Sequence, residues 1–465
     1  MSTPEPATDA DLALAFDRGT LLVRGDHDTV DALKLPGCVH DARVNAWRAP
    51  AWRYREVVLA LKEAELEFKD DARAYEDVDL ALQIERTPFP HQSEAVRAWS
   101  EAGGRGVVVL PTGAGKTFVA QLAMQGARRS TLVLTPTIDL MQQWYGVLGS
   151  GFGIEVGLLG GGYHEPLPVT VSTYDSAYLH MERLGNRYGL LVFDECHHLP
   201  GPSYRLAAET SLAPLRLGLT ATLEREDGEE RQLEWAIGPT VYREEIKALA
   251  GEYLSDYETV TIRVRLSEEE HTRYREAREI YRSFVRENNL RIGSPGGWGL
   301  FLTLTSQTEA GRRAFLAYRE QKTISQASPS KIRALEHLLV KHRSDRVIIF
   351  TNDNETVYRI SRRFLIPAIT HQSKVKERQQ ILRAFNDGEY PFLVTSKVLN
   401  EGVDVPAANV GIVLSGSASV REHVQRLGRI LRRAEGKQAT LYEIVAEDTA
   451  EEFTSDRRRN HSAYR

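Results

Sequence analysis

Between the apolar run Val107-Val108-Val109-Leu110 and the helix-forming stretch Phe118 to Gln125 lies Pro111-Thr112-Gly113-Ala114-Gly115-Lys116-Thr117. This junction constrains the chain more than any other feature. A strand that turns through a glycine-rich bend straight into a helix belongs to a parallel α/β sheet. It also leaves backbone N–H groups and the positive end of the helix aimed at one spot, which suits phosphate. Thr112, Gly113, Ala114 and Gly115 would form the cradle, Lys116 would pair with the β- and γ-phosphates, and the Thr117 hydroxyl would ligate Mg²⁺. The first glycine of the strict phosphate-loop pattern is missing, because Leu110 stands there.

Two further segments fit the same chemistry. The run Leu190-Leu191-Val192-Phe193 delivers Asp194 and Glu195 to a strand end, with Asp194 78 residues after Lys116. Asp194 would hold Mg²⁺ and Glu195 would orient and deprotonate an attacking water. Cys196, His197 and His198 follow directly, but consecutive residues cannot readily converge on one metal ion, so zinc is not expected. Near the end, Gln425, Gly428, Arg429 and Arg432 fall at i, i+3, i+4 and i+7, one face of a helix. Arg429 and Arg432 could stabilise charge on a transferring phosphoryl group; the plainer alternatives are a solvated basic face or a phosphate contact to DNA. Taken in order, the three segments imply a nucleotide-hydrolysing motor with the nucleotide held between two halves.

At 465 residues the chain exceeds one hydrophobic core, so several domains are expected. A first segment, residues 1–80, opens with Leu12 to Phe16 and Thr20 to Arg24 joined at Asp17-Arg18-Gly19, a hairpin signal, and continues with helical spacing from Tyr54 to Phe68. Residues 83–244 carry five short apolar runs separated by helical stretches, the signature of a buried parallel sheet. Residues 245–325 read as a helical, arginine-rich insert. A second α/β unit spans 326–455, and 456–465 form a basic tail.

The net charge of −5 lacks the basic footprint of a nucleic-acid binder, but residues 1–80 alone contribute −7. Any nucleic-acid contact must therefore come from local patches. Arg43, Arg48, Arg53 and Arg55 alternate with Trp47, Trp52 and Tyr54 with no acid between them, a pattern that can hold phosphates and wedge bases, or can be core aromatics flanked by solvated arginines. On the helix near 272–291, Arg275, Arg278, Arg282 and Arg286 share one face, and Ala277, Ile280 and Phe284 face the other way. Neither a signal peptide nor a membrane span is present, and two cysteines without a CxxC pair indicate no disulfide framework, so a reduced cytoplasmic setting is expected.

The motifs resemble those of the XPB family of superfamily 2 helicases in its short archaeal or bacterial form. Asp194 to Pro200 is similar to the family's second motif, Gly218-Leu219-Thr220-Ala221-Thr222-Leu223 to its third, and Arg225-Glu226-Asp227 to its characteristic triplet. Ile348 to Asn352, Leu399 to Pro406 and Gln425 to Arg433 resemble its second motor domain, while Phe16 to Thr20 and Trp52 to Arg55 resemble its damage-recognition domain. The resemblance implies two RecA-like motor domains, a small α+β N-terminal domain and a helical, thumb-like insert. It implies a DNA-dependent ATPase using ATP and Mg²⁺, opening duplex in nucleotide excision repair, monomeric, with DNA and an associated nuclease as partners.

By the same resemblance Gln92 would read adenine, and Gly402 and Asp404 would line the nucleotide side of the second domain. Thr220, Thr222 and Gln425 would couple nucleotide to movement, while Arg225, Glu226 and Asp227 would separate strands. Arg53, Arg55, Thr135, Thr173, Arg275, Arg278, Arg282, Thr370 and Thr395 would touch DNA. One departure is Phe89-Pro90-His91-Gln92, where the family has Arg-Pro-Tyr-Gln. The rival readings are a duplex translocase that remodels or anneals without unwinding, a damage-binding scaffold with a vestigial motor, and an RNA helicase.

Overall fold

The computed structural model describes residues 12–223, 228, 231–249, 257–292, 294, 296–396, 408–415, 439–452 and 455. The chain forms two compact units that divide between Glu245 and Ile246.

The first unit opens with the expected hairpin. Ala13–Asp17 and Thr20–Arg24 pair antiparallel around Arg18 and Gly19, whose φ angles of 46° and 79° make the tight turn whose twist matches the strands. Gly19 is doubly required, since a Cβ there would lie 2.6 Å from Thr210 of the neighbouring α/β layer. Val39–Asp41, Ala46–Pro50 and Lys69–Asp71 complete a five-stranded sheet. The helix Tyr54–Glu63 buries Tyr54, Val57 and Leu61 against it. That helix ends before the Phe68 expected from periodicity. Glu65 takes a left-handed conformation (φ 52°) and the Leu66 N–H folds back onto the Leu61 carbonyl, a six-to-one closure that stops a helix.

Behind this layer lies an eight-stranded sheet in the order Thr240–Arg243, Arg105–Val109, Leu215–Thr220, Leu190–Asp194, Thr131–Thr135, Val169–Thr173, Gly157–Gly160, Tyr163–Glu165. Only the last pair is antiparallel. Its central strands are buried on both faces, which is why they read as unbroken apolar runs. The small domain is pinned to this layer: the Arg55 guanidinium donates to the Gly103 and Pro214 carbonyls, Trp52 packs on Trp235, and Leu212 enters the small domain's core.

The second unit carries a six-stranded, all-parallel sheet in the order Tyr257–Val264, Ala439–Ala446, Val410–Val413, Val347–Phe350, Phe392–Thr395, Ala368–Ile369. The first of these corrects the helical reading of 245–325. From Thr259 to Val264 polar and apolar residues alternate, Val260, Ile262 and Val264 pack on the core, and the strand pairs along eight residues with Ala439–Ala446. The helices Glu268–Glu287, Gly297–Gln307 and Glu309–Ala327 are therefore an excursion that leaves this sheet after its edge strand. On Glu268–Glu287 the buried positions are Tyr274, Ala277 and Phe284, and Ile280 is exposed, contrary to expectation; the buried stripe is centred on Tyr274 and Phe284, and Ile280 falls outside it. The architecture is thus α/β, with two parallel-sheet domains, a small α+β N-terminal domain and a helical insert.

Candidate active site

The strand order brings Arg105–Val109, Leu215–Thr220 and Leu190–Asp194 side by side, all parallel, so their C-terminal ends open on one edge. The helix Lys116–Ala127 starts there. Its cap is Gly115, left-handed at φ 86°, and no side chain caps the first turn, whereas Thr137 and Thr173 cap the two helices that follow. An uncapped helix start beside Gly113 (φ 90°) leaves N–H groups open to an anion. Leu110 is fully buried at the strand end, which explains why a glycine is unnecessary there; its carbonyl accepts the Lys116 ammonium at 3.2 Å. Thr117 lies half-buried in the first turn, and Thr112 flanks the loop.

Gln92 is fully buried. Its Nε2 donates to the Ala114 carbonyl at 2.9 Å and its Oε1 accepts from the Phe89 N–H at 3.0 Å, while His91 Nε2 also lies 3.0 Å from the Ala114 carbonyl. In this conformation Gln92 braces the phosphate loop and offers no free edge to a base. A Cβ on Gly115 would meet Gln92 Nε2 at 2.3 Å, so that glycine is needed for packing as well as for its backbone angle. Arg86, which sequence reasoning missed, holds its guanidinium 4.6 Å from the Phe118 ring and 6.0 Å from the Phe89 ring beside the loop.

Asp194 and Glu195 stand one strand away from the phosphate-loop strand's neighbour. Asp194 Oδ2 accepts from the Trp144 indole at 2.7 Å, and Oδ1 accepts from the Glu195 N–H at 3.0 Å. Burial, with the adjacent Glu195 charge, pushes the Asp194 carboxyl up to about 6. Glu195 adopts a left-handed backbone (φ 47°), a strained state for a non-glycine residue that turns its carboxylate out of the strand line. Among the described residues Glu195 Oε2 has no hydrogen-bond partner, although His197 Nδ1 lies 3.5 Å away.

His197 continues to the third motif. Its Nδ1 is 3.0 Å from Thr220 Oγ1, and that hydroxyl donates to the Thr222 carbonyl at 2.7 Å while accepting the Thr222 N–H. With its own proton spent on Thr222, Thr220 accepts from His197, so Nδ1 carries the imidazole proton. His197 therefore stands between the two motifs, bonded to the Thr220–Thr222 pair of the third and 3.5 Å from the Glu195 carboxylate of the second. Trp144 was not foreseen, because it reaches Asp194 from 50 residues away. Replacing Trp144 with Phe keeps the ring volume and strips a buried carboxylate of its donor. The expected cost is about 1–3 kcal/mol, read as a lower urea midpoint; an unchanged midpoint would show that the bond adds nothing.

The expected DNA-contact residues fare unevenly. Thr135, Thr173, Thr370 and Thr395 are all buried at strand ends, and each hydroxyl is bonded within its own domain: to Ser172, Ser176, Tyr358 and Ser396 respectively. Arg53 lies over the Trp52 ring at 3.9 Å and pairs with Glu56, while Arg55 is spent on the two carbonyls named above. Arg43 and Arg48 both pair with Asp41, and Arg48 also reaches Asp17. On the insert, Arg275 and Arg282 are exposed and Arg278 is half-buried. Arg225, Glu226, Asp227, Gly402, Asp404, Gln425, Arg429 and Arg432 lie outside the described residues.

A phosphate loop, an adjacent acid pair and a third motif joined to them by a histidine, on a parallel sheet followed by a second one, define a motor ATPase of the helicase class. Comparison with known proteins narrows this. Residues 14–72 match the Xeroderma pigmentosum group B helicase damage recognition domain, 85–225 the type III restriction enzyme res subunit, and 312–463 the ERCC3/RAD25/XPB C-terminal helicase. The chain is 39% identical over 91% of its length to the DNA 3'-5' translocase XPB2 of Sulfurisphaera tokodaii, covering 96% of that protein. It is 34% identical to the DNA 3'-5' helicase XPB of Mycobacterium tuberculosis, over 77% of this chain and 61% of that longer one. The chain belongs to the XPB family. The helicase domain of Pyrococcus furiosus Hef shares the fold, with a TM-score of 0.52 at 20% identity over 79% of this chain and 97% of that one.

Proposed function

We propose that this chain is an ATP-driven motor that moves 3'-5' on DNA and opens duplex, acting in DNA repair. The observation that carries this reading is the buried cluster beside the phosphate loop, in which His197 lies 3.5 Å from the unpartnered Glu195 Oε2 and 3.0 Å from Thr220 Oγ1. The family relatives are named as DNA helicases and translocases, and one in yeast as a subunit of a general transcription and DNA repair factor.

The residues present suit MgATP. The open helix start and the Lys116 ammonium meet the phosphates, and Asp194 with the Thr117 hydroxyl supplies the hard oxygen donors that Mg²⁺ prefers. When bound, Mg²⁺ neutralises charge on the β- and γ-phosphate oxygens. Glu195 accepts the proton of the attacking water through its unpartnered oxygen. The His197 imidazole, fixed by Thr220, senses whether that carboxylate is engaged and passes the change to Thr222 and the segment after it. Arg429 and Arg432 are proposed to complete the phosphoryl site, and Arg275 and Arg282 to meet the DNA backbone.

The test is ATP hydrolysis without nucleic acid and with forked DNA, blunt duplex or RNA. Stimulation by fork or duplex DNA, with RNA weak, is the expected result; turnover indifferent to every DNA would overturn the proposal.

A further inference from the structure

Two helices of the insert and the segment that follows the strand Ala439–Ala446 line a cavity of about 370 Å³ that no motif of the motor accounts for. Two tyrosines, Tyr281 and Tyr318, wall it with ring centroids 5.3 Å apart, and Phe301 and Trp298 back them rigidly at 5.6 and 4.9 Å. Arg278, Arg282 and Lys322 line the same space, and among the described residues no carboxylate pairs with any of them. The one acid in the lining, Glu451, is committed: its carboxylate takes the buried Lys331 ammonium at 2.7 Å and the Ala446 N–H at 3.2 Å. Arg278 is held in place by the Tyr274 hydroxyl at 2.6 Å, which in turn accepts the Ala450 N–H.

Gln321 adds a neutral polar group to the lining. The residue is 8% exposed, and its amide is not bonded to another described residue. Its amide keeps access to the solvent of the cavity and can exchange that water for the edge of a ligand. A volume near the small end of ligand sites, about 300–1,000 Å³, holds one planar ring and one anionic group. Aromatic walls stack any base, guanidinium and ammonium groups bind phosphate, and a lone amide reads a base edge.

We propose that this cavity takes one unpaired nucleotide, a base with its phosphate, supplied by a DNA strand separated from its partner. The inference rests on the reading of the chain as a DNA motor and assigns the insert a nucleotide-sized subsite in addition to a backbone grip. Such a subsite would register a strand one nucleotide at a time beside the second motor domain.

The experiment places 2-aminopurine at successive positions along each strand of a fork and reads its fluorescence with saturating full-length protein. The wild-type chain is expected to quench one or two adjacent positions. Gln321→Leu, neutral and similar in volume, and Lys322→Glu, at an exposed position, are each expected to abolish that quench and weaken fork binding about fivefold or more, the least that loss of one stacked base gives. Unchanged melting temperatures would verify their folding. No quenched position, or quenching unaltered in both variants, would overturn the proposal while leaving the motor assignment intact. If the chain does not bind forked DNA, the motor reading fails separately, and the cavity is then tested with free dAMP in the Lys116→Ala background. Saturable dAMP binding lost on adding Gln321→Leu would assign the site to a free nucleotide, and its absence would overturn the site.

Discussion

Glu195→Gln lowers DNA-stimulated ATP turnover by about 10²–10⁴-fold, the range that a positioned general base contributes, while ATP is still bound. The substitution keeps the side-chain volume and is no worse suited than Glu to the left-handed backbone at φ 47°. It removes the single group placed to accept the proton of the attacking water: Glu195 Oε2, unpartnered among the described residues. Lys116, Thr117 and the open helix start are untouched, so binding of a fluorescent ATP analogue should change little. Turnover within a few-fold of wild type would show that another group takes the proton.

Arg216→Leu destabilises the first unit by about 3–5 kcal/mol, the cost of leaving buried strong acceptors unmet. Arg216 sits on the strand beside the phosphate-loop strand with no exposure at all, and among the described residues it has no acid partner. Its guanidinium instead donates to the Ala208, Ser211, Ala213 and Ala236 carbonyls, tying two short helices and a loop to the sheet. Leu fills part of the volume and satisfies none of these carbonyls. Lys would rescue little, because an ammonium cannot reproduce the planar fork. The check is urea unfolding followed in the full chain, where the first transition should move to clearly lower urea. A shift below about 1 kcal/mol would mean that the loops find other donors.

The parts of the site that were legible in the sequence are those that one segment makes by itself. The phosphate loop needs only a strand, two glycines and a helix in succession, and the acid pair needs only the strand end that carries it. What escaped reading is made across distance. Trp144 reaches Asp194 only after two parallel strands have been laid side by side. The patch Arg43 to Arg55 contains no acid of its own, yet its arginines are met by Asp41 and Glu56 just outside it and by Asp17, 31 residues before Arg48. Composition within a window cannot show what a cross-strand register brings in. The strand Tyr257–Val264 had its alternation in plain view, but its partner lies beyond the helical insert and most of the second domain. The four threonines were expected at the DNA by resemblance; in the structure they are buried, with their hydroxyls bonded at strand ends.

The central claim is that hydrolysis at the Lys116 and Glu195 site drives movement along DNA. It is tested most directly by timing the displacement of a triplex-forming strand from duplex DNA, with wild-type chain and with Lys116→Ala at equal occupancy of the duplex. The account predicts ATP-dependent displacement by wild type and none by the variant. Displacement at the same rate by Lys116→Ala, or by wild type without ATP, would contradict it.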